Sequence, residues 1–273
     1  MVRMLLERTD VNPDNGDRRN QTPLSWASGS GHEGVVKMLL ERSDVNPNKP
    51  DKLGATSLSG ASFGGHEGVV RMLLERNDVD PNTRDSLGNT PLSLASDIGQ
   101  EGVVRLLLER KDVDPNKGDL IGITPLSQAS NKGHEGVVRM LLERNDVDPN
   151  KRTLLGDIPL SLASDNGHEG VVRLLLERKD IDPNKGNFLN PTPLSLASQK
   201  GHEGVVRMLL ERNDVDPNKR GMFGLTPLWE ASNNGHEGVV KLLEERNRAN
   251  PYKPPDRQRR TLRWWAPWGN ADT

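Results

Sequence analysis

The side chains of this sequence that can do chemistry recur at a fixed interval. His32, His66, His134, His168, His202 and His236 each precede Glu-Gly-Val-Val, and Gln100 fills the one place left between them, so the interval is 34 residues throughout. Evenly spaced histidines raise the possibility of a metal ladder. Serines at Ser25, Ser59, Ser93, Ser127, Ser161 and Ser195, taken with the His and Glu, raise that of a hydrolase. Neither reading holds. A metal ion needs its nitrogen ligands about 2.0–2.1 Å away around one point, and equivalent residues on successive units are too far apart for that. Each His follows a Gly that closes one helix and opens the next, where the ring can satisfy backbone groups. No unit carries an acid, base and nucleophile that the others lack, and equal units offer no single pocket of perturbed groups. There is no GxxxxGK[ST] loop and no GxGxxG between a strand and a helix. The chain has no cysteine, which excludes disulfides, thiolate catalysis and zinc held by cysteines. The expectation is a non-enzyme with no catalytic residue, metal or cofactor.

The elements that carry these residues are short. The chain has 273 residues and reads as seven full units, 18–51, 52–85, 86–119, 120–153, 154–187, 188–221 and 222–253. Residues 1–17 form a half unit holding only a second helix, and 254–273 read as a decayed eighth unit or a C-terminal cap or tail. Each unit runs xxGxTPLSxASxxGHEGVVRMLLERxDVDPNKxx. Thr22, Thr90, Thr124, Thr192 and Thr226 stand at an N-cap, followed by Pro at the first helical position, where no N–H is needed. Gly31 and its equivalents stop this first helix after about two turns. In the second helix Val35, Val36, Leu39 and Leu40 make one apolar face, with Lys37, Glu41 and Arg42 on the solvent side. Pro47 is expected to end it by biasing Asn46 away from the α region, and the next xxG makes a hairpin-like turn. Neither helix is stable alone in water, so the apolar faces must stack on neighbouring units. The predicted fold is all-α, a solenoid of helix-turn-helix units joined by hairpin-like loops.

TPLSLAS, GHEGVVRMLLER and DVDPN, recurring seven times in register, resemble the ankyrin repeat, whose pattern runs T-P-L-H-x-A-A, G-H, V-V-x-L-L-L and D-V-N. The unit is one residue longer than the family norm. The family's His after TPL is Ser in six units and Trp229 in the last. Since Ser bonds only locally, weaker coupling between units is expected. The resemblance implies a protein-protein interaction scaffold whose partner sits on the hairpin tips and the exposed side of the first helix. Carried over, that surface begins with Arg18, Arg19, Gln21, Gly29 and Ser30, continues through Lys52, Leu53, Ala55 and Phe63, and reaches Ser86, Leu87, Asn89, Asp97 and Ile98. From the fourth unit its hairpin positions turn apolar: Leu120, Ile121, Ile123, Leu154, Leu155, Phe188, Leu189, Met222, Phe223 and Leu225. A contiguous apolar patch usually marks a contact surface; the competing explanation is that the second hairpin residue packs under the next unit. The alternative function is a regulatory or structural fragment of a larger receptor, similar to the arrays attached to NACHT-type ATPases, packing against its own domains.

Composition bounds the partners. Charged residues make up 28%, net charge is −2 and the pI is about 6.3, so no global basic field calls for nucleic acid or a membrane surface. No apolar run approaches the length of a membrane helix, and Arg3, Glu7 and Arg8 interrupt the first residues, unlike a signal peptide. A cytoplasmic monomer with a protein partner is expected. The tail carries Arg257, Arg259, Arg260 and Arg263 beside Trp264, Trp265 and Trp268; Trp264 is expected to cover the last unit near Trp229. In the second unit Gly60 replaces the Trp or Leu of other units (Trp26, Leu94, Leu162) and Ser57 replaces the first-turn Pro, which predicts a weak link at 52–85.

Overall fold

The computed structural model describes residues 11–186, 191–221 and 224–249. Among them are fourteen α-helices and no strand. The first helix of successive units is α1 (Pro23–Gly29), α3 (Ser57–Gly64), α5 (Pro91–Ile98), α7 (Pro125–Lys132), α9 (Pro159–Asp165), α11 (Pro193–Lys200) and α13 (Pro227–Asn233). The second helix is α2 (Glu33–Leu40), α4 (Glu67–Leu74), α6 (Glu101–Glu109), α8 (Glu135–Glu143), α10 (Glu169–Leu176), α12 (Glu203–Glu211) and α14 (Glu237–Ala249). The chain divides into two bodies, Met1–Asp182 and Pro183–Thr273. In the first, α1, α3, α5, α7 and α9 stack in order, with α2, α4, α6, α8 and α10 stacked alongside; in the second, α11 packs on α13 and α12 on α14. The half unit before residue 11 and the tail with its arginines and tryptophans lie outside the described residues.

The local chemistry follows the expected signals. Thr22, Thr56, Thr90, Thr124, Thr192 and Thr226 each accept a hydrogen bond from the backbone N–H three residues on. Ile158 cannot cap, and there the Ser161 hydroxyl accepts from the Ile158 N–H at 2.9 Å. At the end of α1, Gly31 takes a φ of +71°, a left-handed conformation that suits glycine. The core repeats with the sequence. Leu24, Leu58, Leu92, Leu126, Leu160 and Leu194 of the first helices are buried, as are Val36, Val70, Val104, Val138, Val172 and Val206 of the second.

Four expectations need correction. Pro47 does not end the second helix: α2 stops at Leu40, and Val45 and Pro47 pack inward as a buried loop. Arg42 and its equivalents are not merely solvated. Arg76 forks onto Asp78, with Nε to Oδ1 at 2.8 Å and Nη2 to Oδ2 at 2.6 Å, and its Nη1 donates at 3.1 Å to the Leu40 carbonyl that ends α2. Arg110 does the same to Asp112 and to Leu74 at the end of α4. The fork holds each aspartate below its ordinary pKa. The loss of the family's His does not leave the units without side-chain ties. Ser93 does bond locally, donating to the Thr90 carbonyl at 2.9 Å, but other residues tie the units. His66, His134 and His168 donate through Nε2 to the carbonyls of Gly29, Asp97 and Asn131, near the end of the preceding unit's first helix, and His236 donates to Gln199. Asn116 donates to the Asp146 carbonyl at 2.6 Å and accepts from the Asp148 N–H at 2.7 Å, and Asn48, Asn82, Asn150 and Asn184 repeat this pattern. Finally, the position that Gly60 shares with Trp26, Leu94 and Leu162 is not a uniform core position: Trp26 lies exposed and Leu94 and Leu162 are half-buried, while Glu230 in the same place is buried.

Candidate partner-binding surface

Each hairpin of the first four units is built on one aspartate. The Asp51 carboxylate accepts from the N–H groups of Leu53 at 2.8 Å and Ala55 at 2.9 Å, while the Asp51 N–H bonds the Ala55 carbonyl. Asp17, Asp85 and Asp119 accept the equivalent pairs. Backbone hydrogen bonds at Asp17, from Gln21 first and also from Arg19, hold its pKa below the ordinary value. Neighbouring tips are then joined by one bond each: Lys52 N–H to Arg19 O, Ser86 to Leu53, Leu120 to Leu87 and Leu154 to Ile121, at 2.7–3.0 Å. Within Met1–Asp182 the tips therefore form a laddered edge, and the backbone polar groups that a loop would otherwise leave to water are largely used.

The side chains on that edge are not tucked away. Leu53 is 67% exposed, Leu87 65%, Leu120 64%, Ile121 47%, Leu154 77% and Leu155 68%. The second hairpin residue thus does not pack under the next unit; the ladder fixes the tip with its side chain in water. Ile123 is only half-buried and sits at the base of its turn, as does Leu225 in the second body. Phe63 and Ile98, on the first-helix side of the surface, are exposed. Phe188, Leu189, Met222 and Phe223 lie outside the described residues.

One hairpin departs from the pattern, and sequence reasoning passed it over. At the turn that opens the fifth unit, Thr153, the last residue of the fourth, replaces the opening aspartate, and its hydroxyl accepts from the Asp157 N–H at 3.1 Å. The carboxylate has moved to Asp157, a position occupied by Gln21, Ala55, Asn89 and Ile123 in the units before it. Asp157 enters a pocket between α7 and α9 of about 220 Å³, lined by Ile121, Ile123, Gln128, Asn131, Thr153, Leu155 and Leu162. Burial, followed by the nearby charge of Asp165, pushes the Asp157 pKa above its ordinary value. The signal was legible in principle, as an exchange of Asp for Thr at one end of the turn and of a neutral residue for Asp at the other.

Family profiles described as "Ankyrin repeats (3 copies)" match residues 44–119, 92–187, 126–221, 160–254 and 194–270, and one described as "Ankyrin repeat" matches 19–52. The chain belongs to the ankyrin-repeat family. Among solved structures, this ankyrin array is similar to the human ASB11 ankyrin repeat domain, at 26% identity with a TM-score of 0.70, over 86% of this chain and 99% of that one. It is also similar to the ankyrin repeat domain of Bcl-3, described as a unique member of the IkappaB protein family, at 26% identity with a TM-score of 0.71, over 82% of this chain and 98% of that one. No curated protein sequence matches it. Ankyrin repeats are generally protein-protein interaction modules and typically non-enzymatic. Among the described residues no three His, Asp or Glu gather where they could hold a metal ion, and no helix is long and apolar enough to cross a membrane.

Proposed function

We propose that this ankyrin-repeat chain is a protein-binding module that holds its partner on the hairpin tips and the adjoining face of the first helices. One observation carries the reading. Leu120, Ile121, Leu154 and Leu155 stand largely in water on two consecutive tips that are already tied to each other by backbone bonds. Large apolar side chains gain nothing from that position in the free chain, and contiguous exposed apolar surface is what interfaces bury at their centres. Ile123 borders the proposed surface; in the second body Leu225, and by the sequence pattern Phe188, Leu189, Met222 and Phe223, are proposed as that body's own tip residues. A net charge of −2 gives no support to a nucleic-acid partner.

The test uses the full chain immobilised as bait, with Leu154→Asp and Leu155→Asp combined in the variant. Because both side chains are exposed, the melting temperature should stay within about 2 °C of wild type. Proteins that wild type retains from a cell extract, identified by mass spectrometry and confirmed with purified candidates, should be lost from the variant. They should survive Glu67→Ala, an exposed change at the start of α4. Undiminished retention by the tip variant would place the interface elsewhere and end this reading.

A further inference from the structure

We infer that the pocket between α7 and α9 takes an arginine side chain of the partner, with Asp157 as its counter-charge. The inference rests on the proposed role of the hairpin tips and adds the chemistry of what they hold. Three observations support it. The first is size. At about 220 Å³ the pocket is smaller than the roughly 300–1,000 Å³ of sites that enclose a small-molecule ligand, yet holds several times the roughly 30 Å³ share of one water. That is room for one long side chain.

The second is the division of its walls. Ile121, Ile123, Leu155 and Leu162 supply apolar surface, while Asp157, Thr153, Gln128 and Asn131 supply polar groups. A side chain with an aliphatic stem and a charged planar head matches that division, because the stem buries against apolar walls while the head spreads several N–H donors. Among the described residues, none donates a hydrogen bond to the Asp157 carboxylate or forms an ion pair with it. A half-buried carboxylate without a partner is an electrostatic cost to the free protein, and a cation offsets it.

The third is that, among the described turns, the feature is found at one place. The opening aspartates of the first four turns are engaged by their own backbone N–H groups, whereas the fifth turn frees its carboxylate from that duty and is held by Thr153. A repeat frame shared by all units cannot choose a partner; a departure from it at an exposed cavity can. Leu120, Leu154 and Leu155 flank the site, so apolar residues are expected on either side of the arginine.

The probe is a random-peptide phage library panned on the full chain, followed by affinity measurements on synthetic copies of the selected peptides. Selected peptides should share one arginine next to apolar residues. Replacing that arginine with norleucine should weaken binding by about tenfold or more, and Asp157→Asn should weaken the parent peptide to a similar degree. In the Asp157→Asn protein, the norleucine replacement should cost little further, which is the signature of a direct pair. The Asp157 carboxylate caps nothing, so the variant should fold with an unchanged circular dichroism spectrum. Peptides that lack a shared arginine, or that bind Asp157→Asn as well as wild type while losing affinity for Leu154→Asp/Leu155→Asp, would overturn the arginine pocket and leave the tip surface standing. A library that yields no binder, or binders indifferent to both variants, would overturn both.

Discussion

Ser28, Ser62, Ser96, Ser130, Ser164 and Ser198 stand where the family pattern has its second Ala, and each places a fully buried hydroxyl with no hydrogen-bond partner. A buried donor left unmatched costs on the order of 1 kcal/mol or more. Ser130→Ala should therefore raise stability by about 1 kcal/mol in urea unfolding, and a loss would show that the hydroxyl holds something. Glu230 is a second case. It fills the place of Leu94, Leu162 and Leu196, is buried, and leaves Oε2 without a partner. Burial pushes its pKa up, with the nearby Ser195 hydroxyl opposing. A carboxyl whose folded pKa lies above its unfolded value favours folding most at low pH, and that advantage is lost as pH rises through the raised value. Glu230→Leu should accordingly add about 1 kcal/mol at pH 7 and visibly less at pH 4, read as the difference in melting temperature between the two proteins. An equal gain at both pH values would mean the carboxylate carries no penalty.

At the scale of the element, the DVDPN segment is a set of staples. The Arg two residues before it closes the second helix of the preceding unit, and its Asn reaches the next unit. Asn116 makes two such bonds, whereas among the described residues the Asn218 side chain meets the Asn247 side chain at 3.1 Å and no backbone group of a following loop. Asn116→Ala should cost about 1–2 kcal/mol and Asn218→Ala less, both measured in urea; equal costs would show that the bonds between loops add nothing. The Arg–Asp forks have the opposite pH sign to Glu230. With Asp78, Asp112, Asp146 and Asp180 held below the ordinary value by their arginines, their support is present above that value and is lost as pH falls through the lowered one. Each pair is largely exposed on the aspartate side, so the loss per fork is small.

For the molecule, stability in a stacked array is a sum of units and their junctions. In Met1–Asp182 the second unit remains the expected weak link. Its first helix forms in full, capped by Thr56, but carries Gly60, and a Cβ built there would meet the Gly29 Cα at 3.5 Å, an ordinary contact. The site therefore has room for a methyl group that the sequence leaves out. Amide exchange should be faster in 52–85 than in 154–182, and Gly60→Ala should slow it while adding about 1 kcal/mol. Equal rates in the two segments of wild type would remove the weak link.

The sequence by itself determined the unit, its two helices, their caps and the buried Leu and Val columns, because these depend on local dihedrals and on a period that one unit already contains. It also placed apolar residues on the hairpin tips. What only the tertiary structure decided are the relations between residues some 30 to 37 apart in the chain, which depend on how far each unit is shifted and turned against the last. That stacking sends the Asn and His side chains to a neighbour's backbone and ends the second helix before the proline. It also leaves Leu53, Leu87, Ile121 and Leu155 in water instead of under the next unit. The Asp157 pocket belongs to the same class. Its walls come from two units, and the residue that matters is defined by what its turn no longer asks of it.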